Sequence, residues 1–145
     1  MQKICGFFCW ESQVPASLEP KIKQKMEYLI RHKQVRRFLI EYRPNDFFLF
    51  VLRSLRDLKQ KYRFLSVYLE VSPWHLDHFT ATGLLPDFLS CLKVDGKYST
   101  YQYWADWEPN YILVYDPDDY DDVQDLLLPP SFPYSTPIYL SEDPH

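Results

Sequence analysis

A chain of 145 residues has the length of one ordinary domain, and with 46% hydrophobic and 25% charged side chains it can pack a core, which excludes both two full-sized domains and wholesale disorder. The longest unbroken apolar run, Phe47 to Leu52, falls far short of the roughly 18 residues of a membrane span, so no membrane partner is expected. The formal charge of −4 hides a division: residues 1–63 carry 14 of the 16 Lys and Arg against six acids, a local +8, whereas residues 64–145 carry two bases against 14 acids, a local −12.

The opening run Ile4 to Cys9 is apolar and suits a strand; Gly6 within it and Glu11 just after it separate it from a signal peptide. Two prolines between Ser12 and Pro20 mark a loop, with Ser17 as the N-cap of a helix. In that helix Ile22, Met26, Leu29 and Ile30 form one buried stripe while Lys21, Lys23, Lys25, Arg31 and Lys33 take other faces, and Gln34 ends it. Val35 to Tyr42 contains Phe38-Leu39-Ile40, a continuous apolar run suited to a strand covered on both sides.

The turn Arg43-Pro44-Asn45-Asp46 offers two helix caps, and Phe48, Val51, Leu52, Leu55, Leu58 and Tyr62 behind it mark the core face of a second helix. Phe64 to Val71 is a third strand that Pro73 ends. Residues 72–97 hold Pro73, Gly83, Pro86 and Gly96 and read as an excursion with a short element over 86–92. A helix is expected over 98–108, a compact strand over Tyr111–Tyr115, and a short helix from Asp116 to Leu128 that Pro129-Pro130 stops. The last 17 residues hold five of the 12 prolines; they read as a tail, 129–145, laid on the domain with Ile138-Tyr139-Leu140 as an edge strand, or else partly disordered.

Strands alternating with helices of about 15 residues favour right-handed crossovers and a parallel sheet. The expected fold is therefore α/β: a single Rossmann-like three-layer domain over 1–128 with a mainly parallel sheet of four or five strands. Three cysteines, Cys5, Cys9 and Cys91, are an odd count that argues against a disulfide framework and for a reducing compartment, the cytoplasm. Cys5 and Cys9, four strand residues apart at ~3.3 Å each, would sit ~13 Å from one another, so both read as buried thiols.

In this order of elements, Leu29-Ile30 through Phe38-Leu39-Ile40, then Val51 to Tyr62, then Tyr103-Trp104 through Asn110 to Tyr115, the chain resembles the short bacterial YpsA-like members of the SLOG superfamily. The resemblance implies a small Rossmann-like domain of bacterial origin that binds nucleotides or nucleotide-derived ligands. It also implies an altered ligand site. Where relatives end strand one with Gly-His-Arg, this chain has Phe8-Cys9-Trp10. Where they place glycine, a spacer and Phe-Asp after strand two, it has Asn45-Asp46-Phe47-Phe48; and Tyr101-Gln102 replaces an Arg-Asn pair before the last strand. With three glycines in the chain, the glycine-rich loop of the superfamily's phosphoribohydrolases is missing too.

Open α/β sheets bind ligands at the carboxyl ends of their strands. Trp10, Glu11, Ser12, Asn45 and Asp46 should meet there, either as a ligand site, with the tryptophan stacking on a base that Asn45 hydrogen-bonds, or as a lid and a helix cap. His75-Leu76-Asp77-His78 brings two imidazoles within one helical turn, but Trp74 and Phe79 beside them suit an aromatic cluster better than a metal, and no metal is expected. The acids from Asp116 to Asp125 lack the glycine and terminal glutamate of a calcium loop and read as a solvated helix start. The basic face of the first two helices could meet phosphates, yet the acidic second half opposes it and no groove-reading motif is present, so nucleic acid is not expected as a partner. Tyr98, Tyr101, Tyr103, Trp104 and Trp107 suit core packing or, if exposed, a protein interface. No catalytic constellation and no cofactor motif is present. The reading is a ligand-sensing or protein-binding module, with a nucleotide-like small molecule or a protein as partner; the alternative is a nucleotide site of changed specificity.

Overall fold

Along the chain, short runs of aromatic and branched residues alternate with segments whose apolar positions recur every three to four residues, and the backbone follows that alternation. The computed structural model describes residues 3–9, 11, 13–83, 89–94, 108–117 and 135–140. Within them β1 (Lys3–Cys9), β2 (Val35–Glu41), β3 (Ser66–Val71), β4 (Cys91–Val94), β5 (Tyr111–Tyr115) and β6 (Thr136–Tyr139) form one sheet in the order β4-β3-β2-β1-β5-β6. Every neighbouring pair is parallel. Helix α1 (Leu18–His32) joins β1 to β2, α2 (Asp46–Lys61) joins β2 to β3, and a 3-10 turn at Pro73–His75 leads into the short α3 (Leu76–Ala81). This is a small α/β Rossmann-like three-layer domain, with six strands where the sequence suggests four or five.

Among the described residues, the two faces of the sheet carry buried apolar clusters of different size. Cys5, Phe7 and Cys9 of β1, Phe38 and Ile40 of β2, Val67, Leu69 and Val71 of β3, and Leu113 and Tyr115 of β5 share one core with the buried stripes of α1 and α2. Those stripes are Leu18, Ile22, Met26, Leu29 and Ile30 on α1 and chiefly Phe47, Phe48, Val51, Leu52, Leu55 and Leu58 on α2. On the opposite face Phe8, Leu39, Ile112 and Val114 form a smaller buried cluster with Ile4 and Tyr68 against it. Burial on both faces explains why Phe38-Leu39-Ile40 carries no polar alternation.

The helix ends follow capping chemistry, with one departure. Ser17 precedes α1 as expected, but its backbone is helical and its side chain makes no capping bond. The preceding turn does that work instead, with the Leu18 N–H donating to the Pro15 carbonyl at 3.0 Å and the Glu19 N–H to the Ala16 carbonyl at 3.2 Å. At the other end Gln34 takes a left-handed conformation, φ 61°, the usual way for a helix to turn off into a strand. Between the helices, Arg53 donates to Glu19 and Lys61 to Glu27, both at 2.8 Å, and Lys23 lies 3.4 Å from Asp57. These surface pairs contribute little individually, about 0–1 kcal/mol, and serve mainly to set how α1 lies against α2.

Three sequence expectations shift in position or gain detail. The short element placed over 86–92 shares only Cys91 and Leu92 with the strand Cys91–Val94, which is hydrogen-bonded to β3, and residues 86–88 lie outside the described residues. Pro73 ends β3 as expected, but as the first residue of a 3-10 turn it also opens the path into α3. Residues 136–139 of the proline-rich tail run parallel to β5 as an edge strand. The helix expected over 98–108, apart from Glu108, and the one expected after Asp116, apart from Asp116 and Pro117, lie outside the described residues, as does the aromatic run 98–107. Among the described residues no helix is long and apolar enough to cross a membrane.

Candidate functional site at the carboxyl edge

Strand order reverses at β1, whose neighbours are β2 on one side and β5 on the other. In an open α/β sheet the crevice outside the carboxyl ends at such a reversal is the usual ligand position. Cys9 and Tyr115 end the two strands there in register, and Glu11 and Asp116 follow them. Burial pushes the Cys9 thiol up to about 12, and the neighbouring carboxylates of Glu11 and Asp116 push it the same way, while a hydrogen bond to the Glu11 backbone pulls it down. At neutral pH this sulfur stays protonated and is a poor nucleophile. Cys5, deeper in β1, is raised as well by complete burial. Cys5, Cys9 and Cys91 are all free thiols.

Of the five residues the sequence brings to this edge, Glu11, Asn45 and Asp46 are described, and Trp10 and Ser12 lie outside the described residues. Asn45 is the helix cap. Its Oδ1 accepts from the Phe48 N–H at 3.1 Å, and its Nδ2 donates to the Glu11 carbonyl at 3.2 Å. One side chain thus closes the start of α2 and ties it to the loop after β1. One of the amides that a phosphate could use at this helix terminus, that of Phe48, is already bonded within the chain. Asp46 is the exposed first residue of α2, where a carboxylate is favoured by the helix dipole.

Sequence reasoning missed a second group at this edge. Glu41 ends β2 directly opposite Glu70 on β3, and both belong to the sheet face away from α1 and α2. Glu70 is 4% exposed, and Arg43 donates to Glu41 at 3.2 Å. A charged residue inside a strand reads from sequence as a solvent-facing position; only the register shows two carboxylates side by side on a buried face.

The two imidazoles sit beside this group. Ser72 Oγ and His75 Nδ1 share a hydrogen bond at 2.8 Å, and Tyr42 Oη and His78 Nδ1 share one at 2.5 Å. Each Nδ1 therefore has its own partner, and no group of three or more metal-ligating side chains occurs among the described residues. Tyr42 is buried, edge-on to Phe79, and burial pushes its hydroxyl up to about 12. His75 is held below its ordinary value, first by burial and then by the positive charges of Arg43 and His78. Because the folded state resists protonating His75, its contribution to stability is complete above the unfolded value of about 6.5 and is lost as pH falls below that value toward the folded one. An NMR titration should find the His75 ring titrating below 6.5, and Arg43→Gln should move it upward; a ring titrating at or above 6.5 would contradict its burial, and one unmoved by Arg43→Gln would remove Arg43 as a neighbour that matters.

No family model matches the chain, and neither a curated protein nor a solved structure matches it.

Proposed function

We propose that this domain is a non-catalytic ligand-sensing or partner-binding module acting at the carboxyl edge of β1, β2 and β3, in a cytoplasmic setting that suits its free thiols. The observation that carries the reading is Asn45, whose side chain caps α2 and ties it to the loop after β1, so that at the helix terminus used for phosphate in related topologies one amide is occupied from within. Glu11 and Asp116 beside Cys9 add negative charge at the strand reversal, which opposes a phosphate further. The ligand that fits is neutral or cationic and bears hydroxyl or amine groups, as a nucleoside stripped of its phosphate does. Glu41 at the end of β2 occupies the position from which dinucleotide-binding domains hold ribose hydroxyls. A nucleotide site of changed specificity is thereby narrowed to the nucleoside part. Trp74, 71% exposed directly after β3, favours the second reading, a protein partner on the same edge.

Thermal-shift titration with a panel of nucleosides and their 5′-phosphates tests the choice, since a ligand of the native state raises the melting temperature by mass action. Nucleosides should raise it more than their phosphates. A larger shift with the phosphates would overturn the preference for an uncharged or cationic ligand, and no shift with either would leave the protein-partner reading, for which Trp74→Ala should abolish capture.

A further inference from the structure

The opposite edge of the sheet has a different chemistry. Helices α1 and α2 both end at the amino ends of the strands, so Arg31 and Lys33 at the end of α1 and Lys61 and Arg63 at the end of α2 gather there. The acids of the second half that are described lie mostly elsewhere: Glu70 is near the carboxyl end of β3, and Asp77 and Asp116 follow β3 and β5. At the amino edge Glu27 is taken by Lys61 at 2.8 Å and Tyr62 at 2.9 Å, and Glu108 precedes β5, two strands away from β2. Among the described residues, the amino edge thus gathers the helix-end cations, while most described acids of the second half lie toward the carboxyl edge, where Arg43 is paired with Glu41.

Amid these cations Phe64 is 54% exposed. The Arg36 guanidinium lies 4.5 Å from its ring centre, and Tyr62 meets it edge-on at 5.9 Å. Arg36 is itself fixed by donating to the Ile30 and Val35 carbonyls at 2.8 and 3.0 Å. The ring is therefore in contact with a hydrogen-bonded guanidinium and the edge-on Tyr62, while about half of the residue faces solvent. An exposed aromatic ring with a guanidinium against it, at the sheet edge where the helix-end lysines and arginines lie, combines the two interactions that hold single-stranded nucleic acid: base stacking and phosphate neutralisation. Such binding needs no groove-reading motif, whose absence is one of the two sequence arguments against a nucleic-acid partner; the other, the acidic second half, is met at this edge by the placement of the described acids of that half, of which Glu108 alone precedes a strand.

We infer that the amino edge around Phe64, Arg36, Arg63 and Lys33 binds single-stranded nucleic acid, with a base stacked on Phe64 and phosphates on the helix-end cations. The site is separate from the carboxyl edge, and neither depends on the other.

Fluorescence anisotropy of the full chain with labelled oligo-dT and oligo-U of about 15 nucleotides tests it. Binding should appear at low salt and weaken steeply as salt rises. Phe64→Ala should weaken it by about tenfold or more without changing the salt slope, and Phe64→Tyr should restore it. Arg63→Gln should weaken it and lower the slope by about 0.7. Both side chains are exposed, and unchanged melting curves would verify that the variants fold. No binding at low salt, binding indifferent to Phe64→Ala, equal affinity for a duplex of the same length, or preference for phosphatidylserine vesicles would each overturn the inference. The dT and U arms separate DNA from RNA.

Discussion

Phe38→Ala is expected to remove about 3–5 kcal/mol of stability, read as a lower denaturant midpoint with an unchanged slope. Phe38 is fully buried in the middle of β2 and stacks on Phe7 of β1 with ring centres 6.0 Å apart. Its side chain belongs to the core that α1 and α2 cover, so the loss combines transfer of a large ring to water with a cavity that two rigid layers cannot close. Phe38→Leu should cost much less because most of the volume remains. If Phe38→Ala cost below about 1 kcal/mol, the shared core of sheet and helices described above would be wrong.

Asn45→Ala is expected to cost about 1–2 kcal/mol, large for a partly exposed side chain, because it removes the cap of α2 and the bond to the Glu11 carbonyl together. Asn45→Asp separates the two. The carboxylate still accepts from the Phe48 N–H, so the helix keeps its cap, but it cannot donate to Glu11, so the loop after β1 loosens. Melting temperature should therefore fall less in Asn45→Asp than in Asn45→Ala, while amide exchange at Glu11 rises in both. Equal exchange at Glu11 in the two variants and the parent chain would show that Asn45 does not hold that loop.

The β-α-β-α-β order was legible because each element carries a strong periodic signal: Ile22, Met26, Leu29 and Ile30 on α1, Phe48, Val51, Leu52, Leu55 and Leu58 on α2, and uninterrupted apolar runs on β1 and β2. Strand β4 was not, since Cys91-Leu92-Lys93-Val94 is four residues long, contains a lysine and lies between turn-forming residues, so its identity comes from pairing with β3 and not from its own pattern. Strand β6 holds Pro137, a residue tolerated at a sheet edge because one side of the strand has no ladder to complete.

At the candidate site, Asn45 was recognisable as a cap from its place before an apolar helix, and the structure adds that its other atom binds Glu11. The facing carboxylates Glu41 and Glu70 and the Tyr42–His78 contact could not be read from sequence, because they join residues 29 and 36 positions apart through register and packing. Arg36 beneath Phe64 is missed for the same reason: the pair spans a helix, and only the parallel placement of β2 and β3 brings the two together.

The proposed ligand recognition at the carboxyl edge is tested directly by amide hydrogen exchange measured with and without the nucleoside that raises the melting temperature most. Protection should appear at Glu11, across 41–48 and around 70–75, and should be absent from the helix ends near Arg31 and Arg63. Protection confined to the amino edge, or to no segment of the sheet's carboxyl end, would contradict it.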